Sequence, residues 1–166
     1  MTHTKRITAI MLMLIMLVSL LPSQVFAAKQ NGWVEVNTGY WYYYVDGELF
    51  TGGWKKIDGK WYFFNPPGFM SYYPSQLIDG KVYVFGSSGA LVSKTGWVSR
   101  KYEGSTYWFY VKKGGIATVG WKRVSGKWYY FKSNGTMVSS CKMEIENSDG
   151  SIGNYKFDKN GVCLNP

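Results

Sequence analysis

Tryptophan and tyrosine are the side chains of this sequence that are best suited to hold a ligand. The chain of 166 residues contains 8 Trp, 14 Tyr and 9 Phe, so aromatic residues make up 19% of it. Trp and Tyr combine a large apolar face with a polar edge. Such rings hold cations over their π faces or stack on apolar surfaces. The residue set therefore favours noncovalent binding, and its spacing indicates where the binding surfaces lie.

Side chains that perform catalysis are scarce by comparison. The only histidine is His3, so a nucleophile–histidine pair is excluded from the rest of the chain. Asp46, Asp58 and Asp79 each precede a glycine, and turn chemistry explains these carboxylates. We therefore predict a protein that is not an enzyme and that has no metal site and no cofactor.

The aromatic residues recur in a repeat of about twenty residues. Its two clearest copies run from Gly53 to Met70 and from Gly120 to Met137. Each contains Gly-Trp, an Asp-Gly or Ser-Gly pair, an aromatic run that begins Trp-Tyr, and a final Gly-x-Met. Weaker copies fill the rest of the chain. We predict six units, near residues 32–51, 53–72, 75–92, 96–117, 120–138 and 140–164.

Each unit has the signature of a β-hairpin. The Asp-Gly and Ser-Gly pairs suit tight primed turns. Alternation along the aromatic strand places Trp61 and Phe63 on one face, and Tyr62 and Phe64 on the other. Because a lone hairpin is marginal in water, neighbouring hairpins must stack to bury one face. We predict an all-β solenoid of tandem β-hairpin repeats.

The first residues indicate export. Lys5 and Arg6 precede the apolar run 7–21, and Val25 and Ala27 stand at the −3 and −1 positions of a cleavage site. This arrangement is typical of a secretory signal peptide. The run is shorter than the roughly 20 residues of a membrane span. We predict a helical signal peptide at 1–28 and a repeat array at 29–166, with no membrane span after cleavage.

The charge of the chain favours an anionic partner. The net charge falls from +9 to +7 when the leader is removed, which leaves seventeen basic and ten acidic residues. A basic exported protein suits an acidic wall polymer, although a solubilising surface would give the same balance. Basic charge with aromatic rings also suits single-stranded nucleic acid. Export and the Gly-Trp repeat argue against that partner, and we predict none.

Both cysteines, Cys141 and Cys163, fall in the last unit, where the Gly-Trp pair and the second Trp are missing. An exported chain meets an oxidising environment. A bond that closes a loop of this length contributes about 3 kcal/mol. We therefore predict a Cys141–Cys163 disulfide that caps the array.

The order Gly-Trp, turn, Trp-Tyr-Tyr-Phe, Gly-x-Met resembles the cell-wall-binding repeats, also called choline-binding repeats, of Gram-positive surface proteins. Glucan-binding repeats and the repeats of large clostridial toxins are similar. The resemblance extends from about Gly32 to Leu164. It implies ligand sites between consecutive units, each formed by two aromatic residues of one hairpin and one of the next.

Four such sites follow from the resemblance when the family positions are carried over. They are site I (Trp33, Trp41, Tyr62), site II (Trp54, Trp61, Tyr83), site III (Trp97, Trp108, Tyr129) and site IV (Trp121, Trp128, Tyr155). Met70 and Met137 occupy the position of a methionine that lines the cage in the family.

Two units depart from the pattern. In the third unit, Tyr73 stands near the position of the first Trp and Val82 replaces the second, so we expect this site to be weak or absent. In the fourth unit, the stretch Arg100–Thr106 lengthens the turn, so the resemblance does not fix the cage geometry of site III.

The resemblance implies a secreted, non-catalytic protein that is retained at the cell wall and binds choline-bearing teichoic acid. A second hypothesis is a glucan or other polysaccharide ligand, because the same rings stack on sugars. A third is a structural or adhesive scaffold whose rings only pack. Exposed hairpin edges at the ends of such a stack are compatible with self-association.

Overall fold

The computed structural model describes residues 28–36 and 39–166, and the predicted signal peptide lies outside these residues except for Ala28. The chain divides into two units, 1–30 and 31–166, and the fold described below is that of the second. No helix in the described part of the chain is long and apolar enough to cross a membrane.

Antiparallel hairpins follow one another along residues 31–166, which confirms the predicted all-β hairpin fold. The strands are β1 (Gly32–Glu35), β2 (Trp41–Val45), β3 (Glu48–Leu49), β4 (Gly53–Ile57), β5 (Lys60–Asn65), β6 (Phe69–Met70), β7 (Ser75–Ile78), β8 (Lys81–Val84), β9 (Gly96–Tyr102), β10 (Ser105–Lys112), β11 (Ile116–Ala117), β12 (Gly120–Val124), β13 (Lys127–Phe131), β14 (Cys141–Glu146) and β15 (Ile152–Phe157). Hairpins 1 to 6 are the pairs β1–β2, β4–β5, β7–β8, β9–β10, β12–β13 and β14–β15.

The hairpin turns have the predicted conformation. Asp58 and Gly59 have φ angles of 47° and 78°, and Ser125 and Gly126 have angles of 48° and 80°. Two successive positive φ angles define the primed turn whose twist matches that of antiparallel strands. Aspartate tolerates this region better than most residues, and glycine adopts it without strain. Asp79-Gly80 and Glu103-Gly104 have the same pair of positive angles, so the turn residues fix the register of hairpins 2 to 5.

The sheets remain small, with one exception. Hairpins 1 and 2 each gain a short third strand, β3 and β6, whereas hairpins 5 and 6 form two-stranded sheets. Hairpins 3 and 4 instead merge into one five-stranded sheet in the order β7-β8-β11-β10-β9. The two halves of that sheet meet where Ile116 of β11 pairs with Tyr83 of β8.

Alternate residues of each aromatic strand build the core. Phe64, Phe85 and Phe131 are fully buried, and Phe157 is only 2% exposed. Burying one phenylalanine side chain contributes about 1.5–3 kcal/mol. Phe63, by contrast, is half-buried and faces the side of the hairpin that carries the second Trp.

Backbone hydrogen bonds hold successive hairpins together. In three places the amide of a residue that follows one hairpin donates to the carbonyl of the second Trp in the preceding hairpin. The pairs are Leu91 with Trp61 at 2.7 Å, Met137 with Trp108 at 2.7 Å, and Cys163 with Trp128 at 2.8 Å. These bonds set the spacing between hairpins and therefore the width of the sites between them.

Candidate functional site: aromatic clusters between hairpins

The first Trp of sites I to IV lies against the next hairpin in the same way each time. Its ring centroid is 4.7–4.8 Å from that of the Tyr of the site, at an interplanar angle of 69°. The same ring lies 5.7–6.0 Å from the buried aromatic residue two positions further along, namely Phe64, Phe85, Phe131 or Phe157. The first Trp is therefore both an inter-hairpin core residue and one wall of a site.

The second Trp forms an exposed wall. Trp41, Trp108 and Trp128 are 38%, 43% and 37% exposed. In sites I, III and IV the centroids of the two Trp rings are 6.3, 6.5 and 6.3 Å apart, at angles of 80°, 77° and 89°. Edge-to-face rings of this kind form a corner, and the Tyr of the next hairpin closes it on a third side.

In sites I and III a fourth wall comes from the residue that pairs with the buried Phe of the second hairpin. Met70 pairs with Phe64, and Met137 pairs with Phe131. Leu91 pairs with Phe85 and Cys163 with Phe157, so these two residues hold the equivalent positions in sites II and IV. Each lies eight residues after the Tyr of its site, and this spacing is visible in the sequence.

Sites I, III and IV enclose cavities. The cavity of site I has a volume of about 480 Å³ and is lined by Trp33, Trp41, Tyr62 and Met70, together with Gly39, Tyr72, Ser87 and Ser88. That of site III has about 250 Å³ and adds Met137, Lys159 and Asn160 to its three rings. That of site IV has about 280 Å³ and adds Pro166.

Site II keeps the contacts of the first Trp with the next hairpin, with a different closing residue. Trp54 contacts Tyr83 edge-on at 4.8 Å and stacks on Phe85 at 6.0 Å. Trp61 is the most exposed of the second tryptophans, at 46%. Leu91 takes the place of methionine.

The interface between hairpins 3 and 4 has no aromatic site. Strand register places Ser75 opposite Val84, as Trp54 lies opposite Phe63, so Ser75 and not Tyr73 holds the first-Trp position. Val82, Phe109 and Ala117 take the other three positions, and all are buried in one cluster. We call these four residues the closed interface. The assignment of Tyr73 is therefore wrong, whereas Val82 holds the predicted position.

The longer fourth hairpin leaves site III intact. Residues 100–106 extend strands β9 and β10 by regular pairing up to the turn at Glu103 and Gly104, so the extra length lies beyond the site. Arg100 donates from Nε to the carbonyl of Phe85 at 3.2 Å, and burial lowers the pKa of its guanidinium. The ring distances of site III match those of sites I and IV, so the lengthened turn leaves the ring geometry of site III unchanged.

The predicted disulfide is also wrong, because Cys141 and Cys163 are both free. Cys141 lies opposite Phe157 on one side, and Cys163 lies opposite the same residue on the other. Two strand spacings separate the cysteines by about 10 Å, whereas disulfides need Cα atoms within about 7 Å. Cys141 occupies the position of the repeat glycine and Cys163 that of the site methionine, so each replaces a repeat residue.

Charged side chains distinguish the sites from one another. Lys159 lines site III, whereas the serines Ser87 and Ser88 line site I. Two other lysines are directed at aromatic rings of the preceding hairpin: the Lys55 ammonium lies 4.8 Å from the Phe50 centroid, and that of Lys122 lies 5.7 Å from Tyr110. Their positive charges are therefore held beside rings outside the four sites.

Sequence reasoning missed a group of aromatic residues beside site I. Tyr72 and Tyr73 stack with centroids 4.4 Å apart, and Tyr102 lies 6.2 and 5.8 Å from them. Tyr40 contacts Tyr72 at 5.4 Å and Phe69 at 5.5 Å. We call these five residues the tyrosine platform. The adjacent Tyr72-Tyr73 pair was visible in the sequence, but only the fold brings it to Tyr102, some thirty residues away.

Hydrogen bonds raise the pKa values of two platform residues, Tyr72 and Tyr102. The Tyr72 hydroxyl donates to that of Tyr73 at 3.2 Å. Hydrogen bonding with Tyr73, and then with Tyr40, raises the pKa of Tyr72 well above its ordinary value. Hydrogen bonding with Glu103 raises the pKa of Tyr102. These two residues therefore present neutral hydroxyl groups at physiological pH.

The hairpin array with its repeated ring clusters matches a known class of protein. Residues 52–68 and 119–137 match a family model described as "Putative cell wall binding repeat". These segments lie in the two fullest repeats of the sequence, and the resemblance to cell-wall-binding repeats is confirmed.

Solved structures show the same likeness. The Cpl-1 endolysin complexed with a peptidoglycan analogue is 25% identical, with a TM-score of 0.51, over 89% of this chain and 41% of that one. CbpF in complex with ipratropium is 35% identical, with a TM-score of 0.49, over 81% and 39%. Choline binding protein F from Streptococcus pneumoniae, in the presence of a peptidoglycan analogue, is 28% identical, with a TM-score of 0.47, over 81% and 47%.

The chain thus spans less than half of the length of each of these structures. No curated protein matches its sequence significantly.

Proposed function

We propose that this protein is a non-catalytic cell-wall-binding module that holds choline groups of a surface polymer in sites I to IV. The observation that carries the proposal is the repeated corner of two perpendicular Trp rings closed by a Tyr. A quaternary ammonium donates no hydrogen bond and is held by π faces and close contact, at about 0.5–2 kcal/mol for each ring. Three rings around one small cavity meet that need.

Repetition of the site supports a polymeric partner. A few ring contacts give modest affinity at one site. Several sites on one chain that bind groups along one polymer raise the overall avidity by about 10²–10⁴. A choline-bearing teichoic acid is such a polymer, and its phosphates suit the basic net charge of the chain.

The proposal includes export and retention at the wall. The leader at 1–28 would deliver the array at 29–166 to the outside, where the polymer is displayed. The solved relatives named above with a peptidoglycan analogue support a wall ligand. Self-association through hairpin edges stays a prediction.

Methyl groups within two of the sites allow a direct test. Met70 and Met137 line sites I and III, so methionine methyl resonances of the labelled protein report each site separately. We expect choline chloride to shift both resonances and to elute the protein from a resin that carries a choline-like amine. The methyl groups of Val111, which is buried in the same core cluster as Val82 and Phe109, serve as the internal control when valine is labelled as well.

The same measurement separates the alternatives. Retention on a glucan, with no shift of either methyl resonance by choline, would replace choline with a polysaccharide ligand. No binding to the amine resin, to glucan or to cell walls would leave the scaffold hypothesis.

A further inference from the structure

The tyrosine platform stands outside the repeat. Tyr72 and Tyr73 follow Met70 by two and three residues, and the equivalent residues after Met137 are Ser139 and Ser140. Hairpins 5 and 6 therefore stack without such a ring pair. Packing of the repeat does not require the platform, and its side chains need another explanation.

The platform enlarges one site. Tyr72 belongs both to the platform and to the lining of site I. With the same ring corner, the cavity of site I is about 480 Å³, against about 250 Å³ in site III. The extra space is bordered by the Tyr72 ring and by Ser87 and Ser88 of the following hairpin. A quaternary ammonium that fits site III leaves room in site I for a second group.

The chemistry of this extension differs from that of a cage for a cation. Tyr73 is 45% exposed, so part of its ring is open to solvent beside the cavity. Tyr72, Tyr73 and the two serines supply hydroxyl groups, and no charged side chain is among the described residues that line the cavity. Apolar ring faces with a few placed hydroxyl groups are what a pyranose needs, since its C–H face stacks and its hydroxyls bond.

We propose that the tyrosine platform is a carbohydrate subsite that binds a sugar ring next to the group held in site I. Site I would then recognise a choline together with an adjacent sugar of the polymer, whereas site III would take the choline alone. The inference rests on the proposed function for the choline half of the site, but the sugar half depends only on the platform.

The structure also allows a mechanical role, in which the rings attach the tip of hairpin 4, through Tyr102, to hairpin 2. The mechanical role and the sugar subsite differ in whether they need the tyrosine hydroxyl groups. In a clamp, the rings matter and the hydroxyls do not, so the Tyr72→Phe and Tyr73→Phe variants would behave like the wild type. In a sugar subsite, loss of the hydroxyls weakens sugar binding at least severalfold.

The test uses chitotetraose and maltotetraose as probes, with saturation-transfer NMR on the full mature chain. We expect saturation of the ring C–H protons of at least one probe, and a shift of the Met70 methyl resonance but not of Met137. The double variant Tyr72→Ser, Tyr73→Ser restores the residues found after Met137, and it should abolish the sugar signal. Choline should still shift the Met137 resonance of that variant, which shows that the array is folded.

Each outcome decides the question. The absence of a sugar signal from the wild type, or a signal that survives in the double variant, overturns the subsite. If sugar binds at the platform but choline shifts neither methyl resonance, the subsite stands and the proposed function fails. If choline binds and sugar does not, the proposed function stands and the subsite fails.

Discussion

Site IV and the closed interface between hairpins 3 and 4 share one hairpin register, but site IV contains a cavity and the closed interface is filled by side chains. At site IV, Trp121, Trp128 and Tyr155 surround a cavity of about 280 Å³. At the closed interface, Ser75, Val82 and Phe109 hold the three equivalent positions. Val82 and Phe109 are 5% and 0% exposed, whereas Trp128 is 37% exposed. The hairpin register is the same at both interfaces, and at the closed one Ser, Val and Phe replace the Trp, Trp and Tyr that surround the cavity of site IV.

The loop of hairpin 5 completes the closure. A Cβ atom added to Gly135 would lie 2.6 Å from the Cβ of Ala117 and 3.3 Å from a methyl of Val82. That backbone therefore packs directly on the closed interface. The five-stranded sheet adds ladder hydrogen bonds at the same place. The comparison shows that the closed interface lies between the two candidate sites of hairpins 1 to 3 and the two of hairpins 4 to 6.

The largest effect is expected from opening the closed interface. Replacing Phe109 with Ala removes a fully buried ring from the middle of the five-stranded sheet, and we expect a loss of about 3–5 kcal/mol in the free energy of unfolding. Chemical denaturation monitored by tryptophan fluorescence measures it. Choline should still shift the Met70 and Met137 methyl resonances below the transition.

A matched variant, Phe109→Tyr, adds the hydroxyl that the open sites carry at this position. No space for it exists among Val82, Val111 and Ala117, so we expect it to be destabilising by about 1–3 kcal/mol. Unchanged stability of both variants would show that hairpins 3 and 4 do not form a shared core.

A smaller effect, on binding and not on folding, is expected at site IV. Trp128 is the exposed wall, so Trp128→Ala should weaken choline at that site by about 1–2 kcal/mol, roughly five- to thirtyfold. Calorimetric titration should lose one site, while the Met70 and Met137 resonances respond as before. Trp128→Tyr, which keeps a π face, should retain most of the affinity. Full retention by Trp128→Ala would remove Trp128 from the site.

The sequence predicts the open interfaces better than the closed one. The Trp, Tyr and Met spacings locate every ring of sites I, III and IV, because one hairpin register holds throughout. Ser75 precedes Asp79 by four residues, as Trp54 precedes Asp58, so a count from the turn would have identified it, whereas the choice of an aromatic residue led to Tyr73. Hairpins 3 and 4 merge through the single residue pair that joins β11 to β8, and no local sequence pattern predicts that pair.

The disulfide prediction was wrong for a different reason. The prediction considered compartment and loop length but ignored register. Cys163 follows Tyr155 by eight residues, as Met70 follows Tyr62, so alignment with the earlier units would have placed it at a site and not in a bond. Likewise, the tyrosine platform depends on contacts between loops far apart in sequence, which repeat analysis does not address.

A glycine substitution tests how tightly Met70 is packed in the wall of site I. A Cβ atom on Gly89 would collide with Sδ and Cε of Met70, whereas one on Gly80 meets nothing within 4 Å. Both residues have nearly the same positive φ, 75° and 74°. Alanine at either position should be destabilising by about 1–2 kcal/mol. Only Gly89→Ala should move the Met70 methyl resonance and weaken choline at site I, by severalfold. Equal behaviour of the two variants would show that Met70 adjusts freely.

The smallest predicted effect comes from the charge of Lys159, which site III has and site I lacks among its described lining residues. Lys159 lines site III, and its ammonium repels a bound cation. Across about 8 Å of largely aqueous surroundings this repulsion is about 0.5 kcal/mol. Lys159→Gln should therefore strengthen choline binding at the Met137 resonance about twofold in low salt, and weaken phosphocholine, whose phosphate the lysine attracts. Since salt screens exposed charges, both changes should vanish at high ionic strength. The Met70 resonance, which reports a cavity lined by Ser87 and Ser88, should titrate identically in both proteins. An equal change at both methionines would mean that net charge, and not the lining of site III, sets the difference.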